Sequence, residues 1–92
     1  MTKNERHEKM CNDLHSLYIK KNAAYGDSFG ETFQKLGVIS AVTRISDKYN
    51  RLVNLVTNPK IDPGDESIID TLVDLANYSL MTAIELQKEQ GV

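Results

Sequence analysis

Glu66, Asp70 and Asp74 stand at successive four-residue steps, and Asn77 follows three residues later. On a helix, at about 100° per residue, these four side chains fall within about 80° of one another and form one polar stripe. Carboxylates so spaced can share a hard divalent cation if another helix completes the shell, or they can receive basic groups. Solvation, or pairing with Lys and Arg, is the alternative, because adjacent like charges cost stability unless compensated. Ile69, Leu72, Val73, Ala76, Leu80 and Ala83 share a neighbouring side of the same helix. The segment therefore reads as a helix with a buried apolar face and an acidic stripe along its border.

A second polar stripe joins Arg44, Asp47, Lys48 and Arg51 at i, i+3, i+4 and i+7. Two guanidinium groups and an ammonium suit phosphate oxygens. The apolar residues of that segment, Ile39, Val42, Ile45, Tyr49, Leu52, Val53 and Val56, centre about 140° away from Arg44. On an isolated helix the stripe would face solvent, with Asp47 and Arg51 paired at i, i+4. A partner subunit or the first loop would have to cover it for it to act as a binding surface.

That first loop, Tyr25-Gly26-Asp27-Ser28-Phe29-Gly30, brings aromatic rings, a hydroxyl and backbone N–H groups into six residues. A base could stack on Tyr25 or Phe29. A phosphate could rest on the N–H groups of Gly26, Asp27 and Ser28 beside a new helix start, although a plain interhelical turn has the same composition. His7 and Cys11 are four apart, and with no second pair elsewhere they make a weak metal site. His15 has no evident Ser or Cys partner, so nucleophilic catalysis finds no support.

Four helical segments are needed to position these groups. Met10, Leu14, Leu17 and Tyr18 share one face of a first helix over residues 4–22. The Gly-Asp-Ser turn then leads to a short piece from Ser28 or Gly30 through Leu36, and Gly37 permits a break. A second long helix is predicted over 38–57. Asn58-Pro59 through Asp65 interrupts the pattern, and either Asp62 with Pro63 at the first helical position or Asp65 could cap a third long helix over 66–90. No useful stretch alternates with period two, so strands are not expected. The predicted fold is all-α: three long helices plus a short helical turn, in an antiparallel bundle completed by oligomerisation.

The chain's 92 residues correspond to one domain, 1–92, with a modest core. A net charge of -2 with a pI of about 5.6 argues against a generally nucleic-acid-binding surface. One cysteine, Cys11, rules out an intrachain disulfide and fits a reducing cytoplasm. The start Met-Thr-Lys-Asn-Glu-Arg holds no apolar stretch suited to a signal peptide or membrane span. A soluble cytoplasmic protein is expected.

Three ordered motifs carry a resemblance. Lys21-Asn-Ala-Ala-Tyr25-Gly26-Asp27-Ser28-Phe29, then Arg44-Ile-Ser-Asp47-Lys48-Tyr-Asn-Arg51-Leu52, then Glu66-Ser-Ile-Ile-Asp70-Thr-Leu-Val-Asp74-Leu-Ala-Asn77-Tyr78 resemble the nucleotide-modification-associated domain 1 family. The likeness spans about residues 17 to 82. It implies small helical proteins of phages and prophages, acting in nucleotide metabolism or modification, with the matching polar positions as the site. More loosely, the chain is similar to all-α nucleoside triphosphate pyrophosphatases of the MazG type, in which acidic residues on two helices hold magnesium against a nucleotide's phosphates. Those carry Glu-Glu-x-x-Glu and Glu-x-x-Asp, whereas this chain has only Asp47 on the second helix and Glu-x-x-x-Asp-x-x-x-Asp on the third.

The combined expectation is a nucleotide-binding homo-oligomer, in the host cytoplasm if phage-encoded. Lys21, Arg44, Lys48 and Arg51 would meet phosphates, while Tyr25, Phe29, Asn77 and Tyr78 would contact base or sugar. Glu66, Asp70, Asp74 and Asp47 would hold Mg²⁺ or orient the basic groups. An enzyme so built would hydrolyse a phosphoanhydride with Mg²⁺. Two rivals stand beside it: a phage anti-defence protein that sequesters a nucleotide signal without hydrolysis, and an interaction module whose charges serve only assembly.

Overall fold

The computed structural model describes residues 1–62 and 64–91, with Asp65 described by its backbone alone. The chain forms α1 (Lys3–Tyr25), α2 (Ser28–Leu36), α3 (Val38–Thr57) and α4 (Gly64–Glu89). No strand occurs among the described residues, so the fold is all-α, as the periodicity predicts. The expected Pro63 start of the last helix lies outside the described residues, and Asp65 falls inside α4 rather than at its cap.

Local chemistry sets the boundaries. Thr2 and Glu5 form a reciprocal capping box, the Thr2 hydroxyl accepting from Glu5 N at 3.1 Å and Glu5 accepting from Thr2 N at 3.0 Å, so α1 starts before residue 4. It runs on to Tyr25, three residues beyond the predicted end, because Ala23 and Ala24 favour helix and the first left-handed residue is Gly26 (φ 61). Asp27 is left-handed as well (φ 56), and the pair turns the chain into α2. A single residue joins α2 to α3: Gly37, at φ 78 and ψ -173, occupies a region that glycine alone adopts readily.

α3 and α4 pack as an antiparallel hairpin, shown by the side-chain links Lys48 to Asp74 and Arg51 to Thr71. α2 lays Phe29 and Phe33 against Ala41, with Tyr78, Met81 and Leu86 partly buried around them. This core is small. α1 has no buried residue and is held to α4 at two polar points: Asn77 Nδ2 donates to Leu14 O at 3.3 Å, and Lys21 Nζ meets Asp74 Oδ1 at 3.3 Å. Among the described residues no helix is long and apolar enough to cross a membrane.

One expectation is reversed. The inward side of α4 carries Thr71, Thr82 and Glu85, exposed by only 2, 8 and 7 %, whereas Ile69, Leu72 and Leu80 of the predicted buried face are 49, 45 and 52 % exposed. On α3, Ala41 is buried and Arg44 and Lys48 half-buried, while Val42, Tyr49, Val53 and Val56 stay exposed. The two helices are apolar over more than one side, and α1 and α2 cover only the side where the Phe29 and Phe33 rings settle. Glu85 is left with an Oε2 atom that has no hydrogen-bond partner, the Lys88 ammonium standing 4.0 Å away.

Phe33, 1 % exposed, is the largest fully buried side chain. Phe33→Ala is expected to lower the unfolding free energy by about 3–5 kcal/mol, read by urea denaturation at fixed protein concentration. A loss under about 1 kcal/mol would show that the core lies elsewhere.

Candidate functional site

Tyr18, Lys21, Asn22 and Tyr25 follow i, i+3, i+4, i+7 spacing on α1, and Asp74, Asn77, Tyr78 and Met81 repeat that spacing on α4. Such positions share one helix face. The two faces line a cavity of about 410 Å³, whose wall Ser28 and Phe29 of α2 and Arg44 of α3 complete. Its size suits a small organic ligand.

Asp74 organises the charge. Its Oδ1 lies 3.3 Å from Lys21 Nζ and its Oδ2 3.0 Å from Lys48 Nζ, and its side chain is 24 % exposed. Burial pushes the carboxyl pKa up, but the Lys48 hydrogen bond, the Lys21 and Lys48 charges and the Lys21 hydrogen bond together hold it below the ordinary aspartate value. With Arg44 added, the site has three cations around one carboxylate, a balance that favours a phosphate-bearing ligand. The Arg44 Cζ sits 5.9 Å from the Phe29 ring centroid, and Phe29 stacks on Tyr78 at 6.0 Å and 28°. At that distance the ring face attracts the guanidinium and uses none of its N–H donors.

The expected residues separate into groups. Lys21, Tyr25, Ser28, Phe29, Arg44, Asn77, Tyr78 and Asp74 line the cavity, and Lys48 reaches it through Asp74. Arg44 and Lys48 face inward, not toward solvent as the angular test on α3 predicts, because α3 turns Ala41 and this stripe toward its neighbours. Arg51 donates from Nε to Thr71 Oγ1 at 3.3 Å, linking α3 to α4 away from the cavity, where pairing with Asp47 was expected. Phe29 is only 7 % exposed; it forms part of the floor, and the more accessible Tyr25 is the better platform for a base.

Of the loop's N–H groups expected to meet phosphate, one is already engaged. Gly26 N–H already donates to Asn22 O at 2.8 Å. The Asp27 carboxylate lies over the start of α2, so that a Cβ on Gly30 would fall 2.6 Å from Asp27 Oδ2. The protein's own anion therefore stands at that helix end.

Nor do the acidic residues converge. Glu66, Asp70 and Asp47 are exposed, and only Asp74 enters the cavity. Among the described residues no group of three or more His, Cys, Asp or Glu side chains could hold a metal ion. Asp74, the carboxylate that lines the cavity, is engaged by two ammonium groups, which leaves it poorly placed to hold Mg²⁺.

Tyr18, Asn22 and Met81 were not among the expected site residues. Their spacing to Lys21, Tyr25 and Asn77 is the signal that could have found them, although Tyr18 also fits the apolar face of α1, where it stacks on His15 at 6.4 Å.

A depressed carboxyl pKa contributes stability that is complete above the ordinary carboxylate range and is lost as pH falls through the lower folded value. Asp74→Asn is therefore expected to be less stable than the parent at neutral pH, with the gap closing below about pH 4. Urea unfolding across that range checks this, and a gap independent of pH would contradict the assignment.

A family model described as nucleotide modification associated domain 1 matches residues 21–86. No curated protein and no solved structure matches the chain. The matched stretch holds every cavity residue except Tyr18 and covers well over half of the sequence. The chain belongs to the nucleotide modification associated domain 1 family.

Proposed function

We propose that this chain binds a nucleotide or nucleotide-derived small molecule in the cavity between α1 and α4. The observation that carries the reading is the meeting, in one cavity of about 410 Å³, of Tyr18, Tyr25 and Tyr78 with Lys21 and Arg44. Aromatic faces suit a base, amides such as Asn22 and Asn77 suit its polar edge, and the cations suit phosphate. Membership of a nucleotide-modification-associated family supports the same ligand class. The setting we infer is phage nucleotide metabolism in the host cytoplasm, with the chain working as a homo-oligomer.

Within this reading, binding without turnover is better supported than hydrolysis. Phosphoanhydride hydrolysis of the pyrophosphatase kind needs carboxylates to hold a metal and position water, and the cavity's one carboxylate is held by Lys21 and Lys48. Mg²⁺ would then arrive as the nucleotide's own counter-ion. A protein that withholds a nucleotide signal of host defence needs only the cavity as it stands.

Calorimetric titration of nucleotides, with and without Mg²⁺, tests the proposal. Tyr25, 72 % exposed, can be removed at little structural cost. Tyr25→Ala is expected to weaken binding by about 1–3 kcal/mol, roughly 5- to 150-fold in Kd. Absence of heat and of any thermal shift with every nucleotide would sink the proposal. Ligand recovered intact from denatured complex indicates sequestration, and recovery of cleaved products indicates hydrolysis.

A further inference from the structure

The side of the α3–α4 hairpin that faces away from the cavity is apolar and largely exposed among the described residues. On α3, Val38, Val42, Ile45, Tyr49, Leu52 and Val56 recur at steps of four and three, the spacing of a helix–helix seam. Val38, Val42, Tyr49 and Val56 are 44, 46, 57 and 59 % exposed. Arg44, Asp47 and Arg51 lie on the other half of the helix, and Lys48, at the border, is engaged by Asp74. On α4, Leu72, Ala76 and Ala83 point to the same side as this seam, again without a charge among them, and Asp74 points into the cavity. Loss of charge from an apolar patch marks the centre of a protein interface.

The surface area of the chain fits a second copy as the occupant. A compact monomer of 10.4 kDa exposes roughly 5,400 Å², and this chain exposes 6896 Å². The excess is about 1,500 Å² per chain, within the range that one partner contributes to an obligate homodimer. We infer that a second copy of this chain packs its own α3–α4 face against this one, closing a helical bundle whose core is the α3 seam together with Leu72, Ala76 and Ala83. The contact is isologous, each seam being the other's partner. The cavity lies on the opposite side of the hairpin, so both copies keep it open. The inference specifies the homo-oligomer of the proposed function and is independent of the ligand.

Sedimentation of the full chain at tens of micromolar is expected to give the mass of a dimer, and its melting temperature to rise with protein concentration. Val42→Asp is expected to give a folded monomer, while Ile19→Asp, which changes an exposed apolar residue on α1, leaves the dimer intact. A monomeric parent chain overturns the inference, as does a Val42→Asp chain that keeps the dimer mass. Where Val42→Asp does not fold, the milder Val56→Gln must still raise the dimer dissociation constant by about tenfold or more; an unchanged constant overturns the inference. Neither readout uses a nucleotide, so failure of nucleotide binding and failure of dimerisation are told apart.

Discussion

The carboxylate of Asp74 joins three helices at one point. One oxygen meets Lys21 of α1, the other Lys48 of α3, and the backbone belongs to α4. Removing two ammonium groups and a carboxylate partly from water is costly unless the geometry satisfies each of them. Here the depressed pKa of Asp74 shows that attraction exceeds the burial penalty. The ion triad fixes the distance between α1 and α3, and so the width of the cavity whose walls those helices supply. It also leaves the site with more positive than negative charge, since Arg44 is held by the Phe29 ring and uses no carboxylate.

Around that triad the usual distribution of polarity is inverted. Thr71, Thr82 and Glu85 turn inward on α4, the two threonine hydroxyls donating to carbonyls one turn back, Thr71 to Ser67 O and Thr82 to Tyr78 O. Such bonds let a polar residue lie buried at small cost. Ile69, Leu72, Leu80 and Ile84 of the same helix point out. The arrangement suits a helix with neighbours on two sides, one side built from polar and aromatic contacts within the chain and the other from aliphatic contacts.

The fold was largely legible in the sequence because it rests on local signals. The break at Gly37 and the extent of α3 follow from glycine and apolar period, and both agree with the structure; Thr2 and Glu5 carried a readable start for α1 that the apolar pattern alone places one residue late. Site membership was legible where a motif gathered unlike chemistries, as at Lys21, Tyr25, Arg44 and Asn77. What could not be read was which of two apolar faces the chain covers by itself. A helical wheel reports how apolar a face is, not which neighbour reaches it. For that reason Arg44 and Lys48 were expected in solvent, and Ile69 and Leu80 in the core. The same limit explains the acidic stripe: four-residue spacing aligns Glu66, Asp70 and Asp74 along α4, but the packing of α3 and α1 meets the helix at Asp74.

α1 forms one whole wall of the cavity yet buries no residue of its own, attached as it is through Leu14 O and Lys21. An element with so few buried contacts opens locally far more readily than the global unfolding of the chain. The width of the cavity mouth thus rests on the Lys21–Asp74 contact, and a molecule that bridged Lys21 on α1 to Arg44 on α3 would add to it. Its affinity would then contain the free energy of seating α1 as well as that of its own contacts.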